Sequence, residues 1–137
     1  MRPCFVWAMA IFALSLSAAG AAQAQGGGRV MAPSGLACDV NHLSSWFGVV
    51  SGYRREHGRT WIRIHTDYAT VESTTIEHAG QPDASKHYRY QGRAFTAKDF
   101  ARIERKPGVL RPGVRATVWV CDDGKTPPMV DWQAAAE

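Results

Sequence analysis

Short stretches of this chain alternate apolar and polar residues, and one stretch follows a helical period. The cleanest alternation is Thr60-Trp61-Ile62-Arg63-Ile64-His65. It predicts a strand with Ile62 and Ile64 facing a core and Trp61, Arg63 and His65 facing away. Upstream, residues 47–53 predict a first strand in which Phe47, Val49 and Tyr53 share a face. Gly48 and Gly52 fall on the other face, where a second backbone can approach or the strand can bend. A turn over Arg55–Arg59 joins the two strands into a hairpin. Thr70–Ile76, rich in β-branched residues, predicts a third strand. Val114–Cys121 predicts a fourth, with Val114, Ala116, Val118 and Val120 inward and Arg115, Thr117, Trp119 and Cys121 outward. A loop over 122–128 leads to a short last strand, Met129–Trp132.

Residues 77–93 are polar and weakly patterned, with Tyr88-Arg89-Tyr90 a candidate short strand. The helix signal follows. Thr96 is an N-cap, and Asp99, three residues on, completes a capping-box-like pair. Phe95 and Phe100 are placed as a hydrophobic staple. Phe100 and Ile103 make the buried stripe, and Lys106-Pro107-Gly108 ends the helix.

The amino-terminal end has its own grammar. Met1-Arg2-Pro3 is positively charged, Cys4–Leu16 is an apolar run, and Ala22-Gln23-Ala24 is a small-x-small site. This order predicts a secretory signal peptide over 1–24, cleaved near Ala24, and a periplasmic or secreted protein. The apolar run is shorter than the ~20 residues that span a bilayer, and no second one follows, so no transmembrane segment is expected in the mature chain. Gly26-Gly27-Gly28 and Pro33-Ser34-Gly35 make 25–36 a flexible leader, 37–133 the folded domain and 134–137 a tail. About 110 mature residues bound the answer to one domain with a modest core. Export also excludes chemistry that draws on cytoplasmic ATP or nicotinamide pools.

Removal of the signal takes Cys4 with it and leaves Cys38 and Cys121, an exported pair most simply joined as one disulfide. The formal charge is +4, and twelve of the sixteen basic residues are arginine, a bias toward acidic partners.

Three strands, a long connection carrying a helix, and two further strands make an order that resembles the OB-fold. The expected fold is therefore mainly β with one helix: a five-stranded OB-like Greek-key barrel, the helix between strands three and four, and one disulfide. In that architecture strands one and four pair antiparallel, which brings Cys38, before strand one, beside Cys121, at the end of strand four. The resemblance implies a binding site on the outer face of strands two and three with the flanking loops. Proteins of this architecture bind oligonucleotides, oligosaccharides or peptides, and a few are enzymes.

Trp61, Arg63 and His65 fall on that face, and Tyr88 and Arg89 lie in the connection that could border it. These five are the candidate ligand-binding residues, Trp61 for stacking and Arg63 for pairing with an anion. The competing reading packs Trp61 beneath residues 77–94 and pairs Arg63 with Glu72 across the strands. The expectation is a non-catalytic binding or interaction module for a protein partner or an envelope glycan. The alternatives are a small hydrolase working on the same face, or a metal or nucleic-acid binder. For a metal, His65, His78 and His87 would have to meet, but their spacing carries no ligand pattern, so neither metal nor cofactor is expected. A nuclease-like set of Arg63, Asp67 and Glu72 lacks the right local spacing, and Asp122-Asp123-Gly124 reads as a turn rather than a calcium loop. Nothing resembles an activated nucleophile, and no catalytic residue is expected. Arg54, Arg55, Arg59, Arg63, Arg89 and Arg93 lie near Tyr53, Trp61, Tyr88 and Tyr90, as in single-strand binders. Export and the interspersed Glu56, Glu72 and Glu77 argue against nucleic acid.

Overall fold

The computed structural model describes residues 31–81 and 83–135; the predicted signal sequence, its predicted cleavage site and the first half of the predicted leader lie outside them. The chain forms β1 (Leu43–Glu56), β2 (Arg59–Thr66), β3 (Val71–Glu77), β4 (Tyr88–Tyr90), β5 (Arg93–Ala94), α1 (Phe100–Ile103), β6 (Glu104–Lys106), β7 (Val109–Leu110), β8 (Arg115–Cys121) and β9 (Met129–Gln133). The protein is mainly β with one helix and one disulfide, Cys38–Cys121. The main sheet runs β3-β2-β1-β8-β9-β4-β5, and β6-β7 is a separate hairpin. The sheet has seven strands where the hydrophobic pattern predicts five, and it is not closed. The added strands β4 and β5 come from the polar connection. β4 pairs parallel to β9, whereas every other pairing is antiparallel.

β1 is the long central strand. It pairs with β2 along one edge and with β8 along the other, so that Leu43 lies opposite Cys121. Cys38 thus sits beside the end of β8, the arrangement expected from the antiparallel pairing of the first and fourth predicted strands. A sequence separation of 83 closes a long loop, and in the chain-entropy model such a crosslink stabilises by up to ~4.5 kcal/mol.

The predicted inward face of β1 is corrected by a bulge. The register with β2 shifts between Val50 and Gly52, and the side-chain alternation flips there. Before the bulge Trp46 and Val50 pack on the core; after it Tyr53 does. Phe47 and Val49 therefore do not share the core face with Tyr53. Val49 is exposed, and Phe47 lies under the Arg115 guanidinium, 4.5 Å from its ring centroid. On β2 the alternation holds: Ile62 and Ile64 are buried, and Arg63 and His65 are exposed. β8 departs from expectation. Thr117, Trp119 and Cys121, predicted to face out, are buried along with Val114, Ala116 and Val118, so this strand is covered on both faces.

The core is aromatic at one end. The fully buried Trp132 packs edge-to-face against Tyr53 and Tyr88, at 5.8 and 5.3 Å between centroids. Tyr88 in turn meets Phe95 at 5.2 Å. Phe95 and Phe100 form the predicted staple, 4.9 Å apart. The helix is shorter than its sequence signal: a 3₁₀ turn over Ala97–Asp99, then Phe100–Ile103. It stops there because Glu104 enters the β6-β7 hairpin, pairing with Leu110, and sends its carboxylate inward. Glu104 accepts a hydrogen bond from the Tyr53 hydroxyl at 2.7 Å and pairs with Arg55 at 3.0 Å. Burial pushes the Tyr53 hydroxyl well above its ordinary value, reinforced by Tyr88 and Glu104. Burial works against the Arg55 charge, but Glu104 and Tyr53 outweigh it and hold the guanidinium protonated.

Asp99 anchors the start of the helix. Its carboxylate accepts from the Thr96 backbone N–H and hydroxyl, both at 2.8 Å, and from Arg93 at 2.6 and 2.9 Å. Hydrogen bonding from Arg93, helped by Thr96, holds the Asp99 pKa well below its ordinary 3.8 although burial opposes it. A carboxylate depressed in the folded state contributes stability above its unfolded pKa and loses it as the pH falls toward the folded one. The acid-induced drop in melting temperature below about pH 4 should be smaller in Asp99→Asn than in wild type; equal drops would show that this carboxylate is not depressed.

A Cβ on Gly48 would collide with the His65 carbonyl oxygen, backbone that has nowhere to move. Gly48→Ala is therefore expected to cost about 3 kcal/mol or more, read by chemical denaturation. Wild-type stability in that variant would mean that β1 and β2 are not held so close at this point.

Candidate functional site

The outer face of β1, β2 and β3 is a grid set by strand register. One row is Val49, His65 and Val71; the next is Gly52, Arg63 and Ser73; then come Arg54, Trp61 and Thr75; the last is Glu56, Arg59 and Glu77. The bulge makes this possible, because it turns Gly52, Arg54 and Glu56 outward onto the face that β2 presents with its odd-numbered residues.

Gly52 sets the position of Trp61. A Cβ at residue 52 would stand 2.7 Å from Cζ3 and 2.8 Å from Cη2 of the indole. The benzo edge of Trp61 thus lies over the glycine backbone, half-buried, at the centre of the face. The Arg63 guanidinium sits 5.1 Å from the indole centroid, a cation–π contact. A groove of about 420 Å³ is lined by Arg54, Glu56, His57, Arg59, Trp61 and Thr75. Arg59 pairs with Glu77 at 3.0 Å, and Arg54 approaches Glu56 at 3.7 Å. Both pairs are solvent-exposed and contribute little to stability.

Of the five residues singled out from the sequence, Trp61, Arg63 and His65 share this face, with His65 in the apolar row beside Val49 and Val71. Tyr88 does not join them. It is fully buried among Phe95, Phe100 and Trp132, because β4 pairs with β9 and turns Tyr88 and Tyr90 into the core. Arg89, between them, points the other way and donates to the Tyr88 carbonyl at 3.0 Å. Neither residue belongs to the Trp61 groove. The cross-strand partner of Arg63 is Ser73, not Glu72, which lies opposite Ile64. Gly52 and Thr75 are site residues that sequence reasoning missed, and Arg54 was named there only within the nucleic-acid grouping. Only the bulge brings Gly52 and Arg54 to this face, and the available signal was the pair of glycines in a strand.

The other candidate sets are not assembled. Asp67 is held by Arg115 at 2.6 Å, and Glu72 lies opposite Ile64, on the other side of the sheet from Arg63. His78 is buried and bonded to Thr60 at 3.0 Å, whereas His65 is exposed on the opposite face of β2. Among the described residues, no group of three or more His, Cys, Asp or Glu is arranged to hold a metal ion. Asp123 accepts from the Lys125 and Thr126 N–H groups, both at 2.9 Å, and from the Thr126 hydroxyl. These bonds, led by that of the Thr126 side chain, lower its pKa to about 2 and make 122–126 a turn. Of the arginines grouped by sequence with aromatic residues, Arg55 is committed to Glu104 and Arg93 to Asp99. No helix among the described residues is long and apolar enough to cross a membrane.

No family model, curated protein or solved structure matches the chain.

The geometry around Gly52 gives a direct test. Gly52→Ala must displace the benzo edge of Trp61 and crowds the Arg63 Cβ at 3.2 Å but meets no backbone, so it should cost about 1–3 kcal/mol, less than Gly48→Ala. The indole must move, however, and tryptophan fluorescence should report a change in environment. A variant with an unchanged spectrum would mean that Trp61 does not rest on this glycine.

Proposed function

We propose that this is an exported, non-catalytic binding module, an OB-like five-stranded Greek-key barrel elaborated by two short strands, that engages a protein partner or an envelope glycan through the outer face of β1–β3. Support for the OB-like reading comes from the order β3-β2-β1-β8-β9 and the antiparallel β1–β8 and β8–β9 pairs. The leader grammar and the disulfide support export. The observation that carries the binding reading is Trp61 seated over Gly52 with arginines at 54, 59 and 63 around it. A large aromatic surface at low entropic cost beside directional cations is the composition of a recognition hot spot. A hydrolase needs two titratable groups meeting in a cleft that limits water. On this face the carboxylates of Glu56 and Glu77 are exposed, each beside an arginine.

Trp61→Ala and Arg63→Ala are expected to lower the melting temperature by no more than about 5 °C, the scale of ~1 kcal/mol in a domain of this size. Each should weaken capture of envelope extract components by immobilised protein, by ~2 kcal/mol or more if it is a hot spot. A collapse in stability of Trp61→Ala, with capture lost only through unfolding, would refute the surface site.

A further inference from the structure

Charge on the outer face is unevenly matched. Arg59 pairs with Glu77 opposite it at 3.0 Å, and Arg54 approaches Glu56, two residues along its own strand, at 3.7 Å, whereas Arg63 forms no ion pair among the described residues. Its guanidinium is instead stacked on Trp61, so an unneutralised cation is held at the edge of an aromatic platform. Glu72, the next carboxylate along β3, is aligned with Ile64 and so belongs to the other side of the sheet. Thr75 lines both the Trp61 groove and a second hollow of about 200 Å³, bounded on one side by Thr75 and Glu77 and on the other by the 124–128 loop, which carries Lys125. The surface near Trp61 therefore continues past Glu77, whose carboxylate is paired with Arg59, toward another cation. Successive outward residues of β2 recur every ~6.7 Å, which suits a polymer carrying charges at intervals.

From this arrangement we infer that the ligand of the face is an anionic glycan, bearing carboxylate or sulfate groups, with a sugar ring stacked on Trp61 and an anionic substituent paired by Arg63. The inference rests on the binding-module reading above. Pyranose rings present apolar C–H faces that an indole can cover, and guanidinium matches a carboxylate or sulfate with two parallel hydrogen bonds. A groove of about 420 Å³, open to solvent and rimmed by charged and hydroxyl groups, suits a hydrated ligand. A protein hot spot wants a ring of contacts that excludes water. The exposed apolar residues Val49 and Val71 lie in the row beyond Arg63 and do not enclose Trp61.

The test is titration calorimetry of the disulfide-bonded protein with three hexasaccharides: heparin, carrying sulfate and carboxylate; hyaluronan, carrying carboxylate alone; and neutral chitohexaose. Heparin, which carries both kinds of anion, should bind at least tenfold more tightly than chitohexaose. Arg63→Gln should remove about tenfold for the anionic probes and reduce their salt dependence, while leaving chitohexaose unchanged. Trp61→Ala should weaken all three. Arg105→Gln makes the same charge change on the β6-β7 hairpin and should alter affinity by less than twofold. If heparin alone binds more tightly than chitohexaose, the anion is a sulfate; if hyaluronan does so as well, a carboxylate suffices, and either result supports the inference. Equal affinity for neutral and anionic probes, a silent Arg63→Gln, or equal losses in Arg63→Gln and Arg105→Gln would overturn it. So would binding to none of the three, or tighter Trp61-dependent binding of a single-stranded oligonucleotide. In each of those cases, Trp61-dependent capture from envelope extract would still stand or fall separately, which distinguishes failure of the glycan assignment from failure of the module.

Discussion

The bulge in β1 between Val50 and Gly52 is the constraint on which the rest of the molecule depends. β1 lies between β2 and β8 and must serve both edges, so its side chains decide what is core along its whole length. Without the shift, a single alternation would carry Trp46 and Val50 inward but leave Tyr53 outside. The extra residue changes the phase. Tyr53 and Arg55 then turn in to meet Trp132 and Glu104, and Gly52 and Arg54 turn out to meet Trp61. Core and candidate site are thus two consequences of one local irregularity, a use of bulges that recurs where a strand must re-aim its side chains.

At the far end of β1 the interior is held by polar as well as apolar contacts. Glu104 is nearly inaccessible, and its two oxygens are taken by the Tyr53 hydroxyl and the Arg55 guanidinium, which also stacks on Phe100 at 4.7 Å. Removing one partner from such a group leaves an uncompensated buried charge, so its members are mutually dependent. The cluster explains why a strong helix-start signal yields so short a helix: Glu104 is worth more inside, in a hairpin, than on another helical turn. A second buried carboxylate, Asp131, accepts from the Gly92 N–H at 2.9 Å and ties the β4-β5 turn to β9. Burial raises its pKa, with the Gly92 and Gln91 N–H groups opposing.

The outer face differs in kind. Apart from the half-buried Trp61, most of its side chains are exposed, its ion pairs are weak, and the Trp61 indole rests on a glycine rather than in a cavity. Such a surface can be altered at little cost to the fold, which is what a recognition surface requires and a core cannot tolerate. The aromatic end and the outer face sit on opposite sides of β1 and share no side chain, so a substitution on the outer face need not disturb the core.

Much was legible in the sequence where a residue's neighbours along the chain decide its fate. The alternation of 60–65 fixed which face of β2 is buried, Thr96 and Asp99 marked the helix start, and two cysteines sufficed to name the disulfide. Trp61, Arg63 and His65 were placed on one outward face for the same reason: a strand's period is two whatever it packs against. Tertiary structure alone decided the rest. Tyr88 and Tyr90 are core because a distant strand, β9, pairs with β4 in parallel, and no pattern in a three-residue strand announces a partner forty residues away. Thr117 and Trp119 are buried although they alternate with valines, because β8 is covered on both faces. Glu104 left the helix because Tyr53 and Arg55, half a chain upstream, wait inside for a carboxylate. Local periodicity reports the orientation of a side chain relative to its own strand; what lies on either side of that strand is set by long-range pairing, and that is a property of the folded chain.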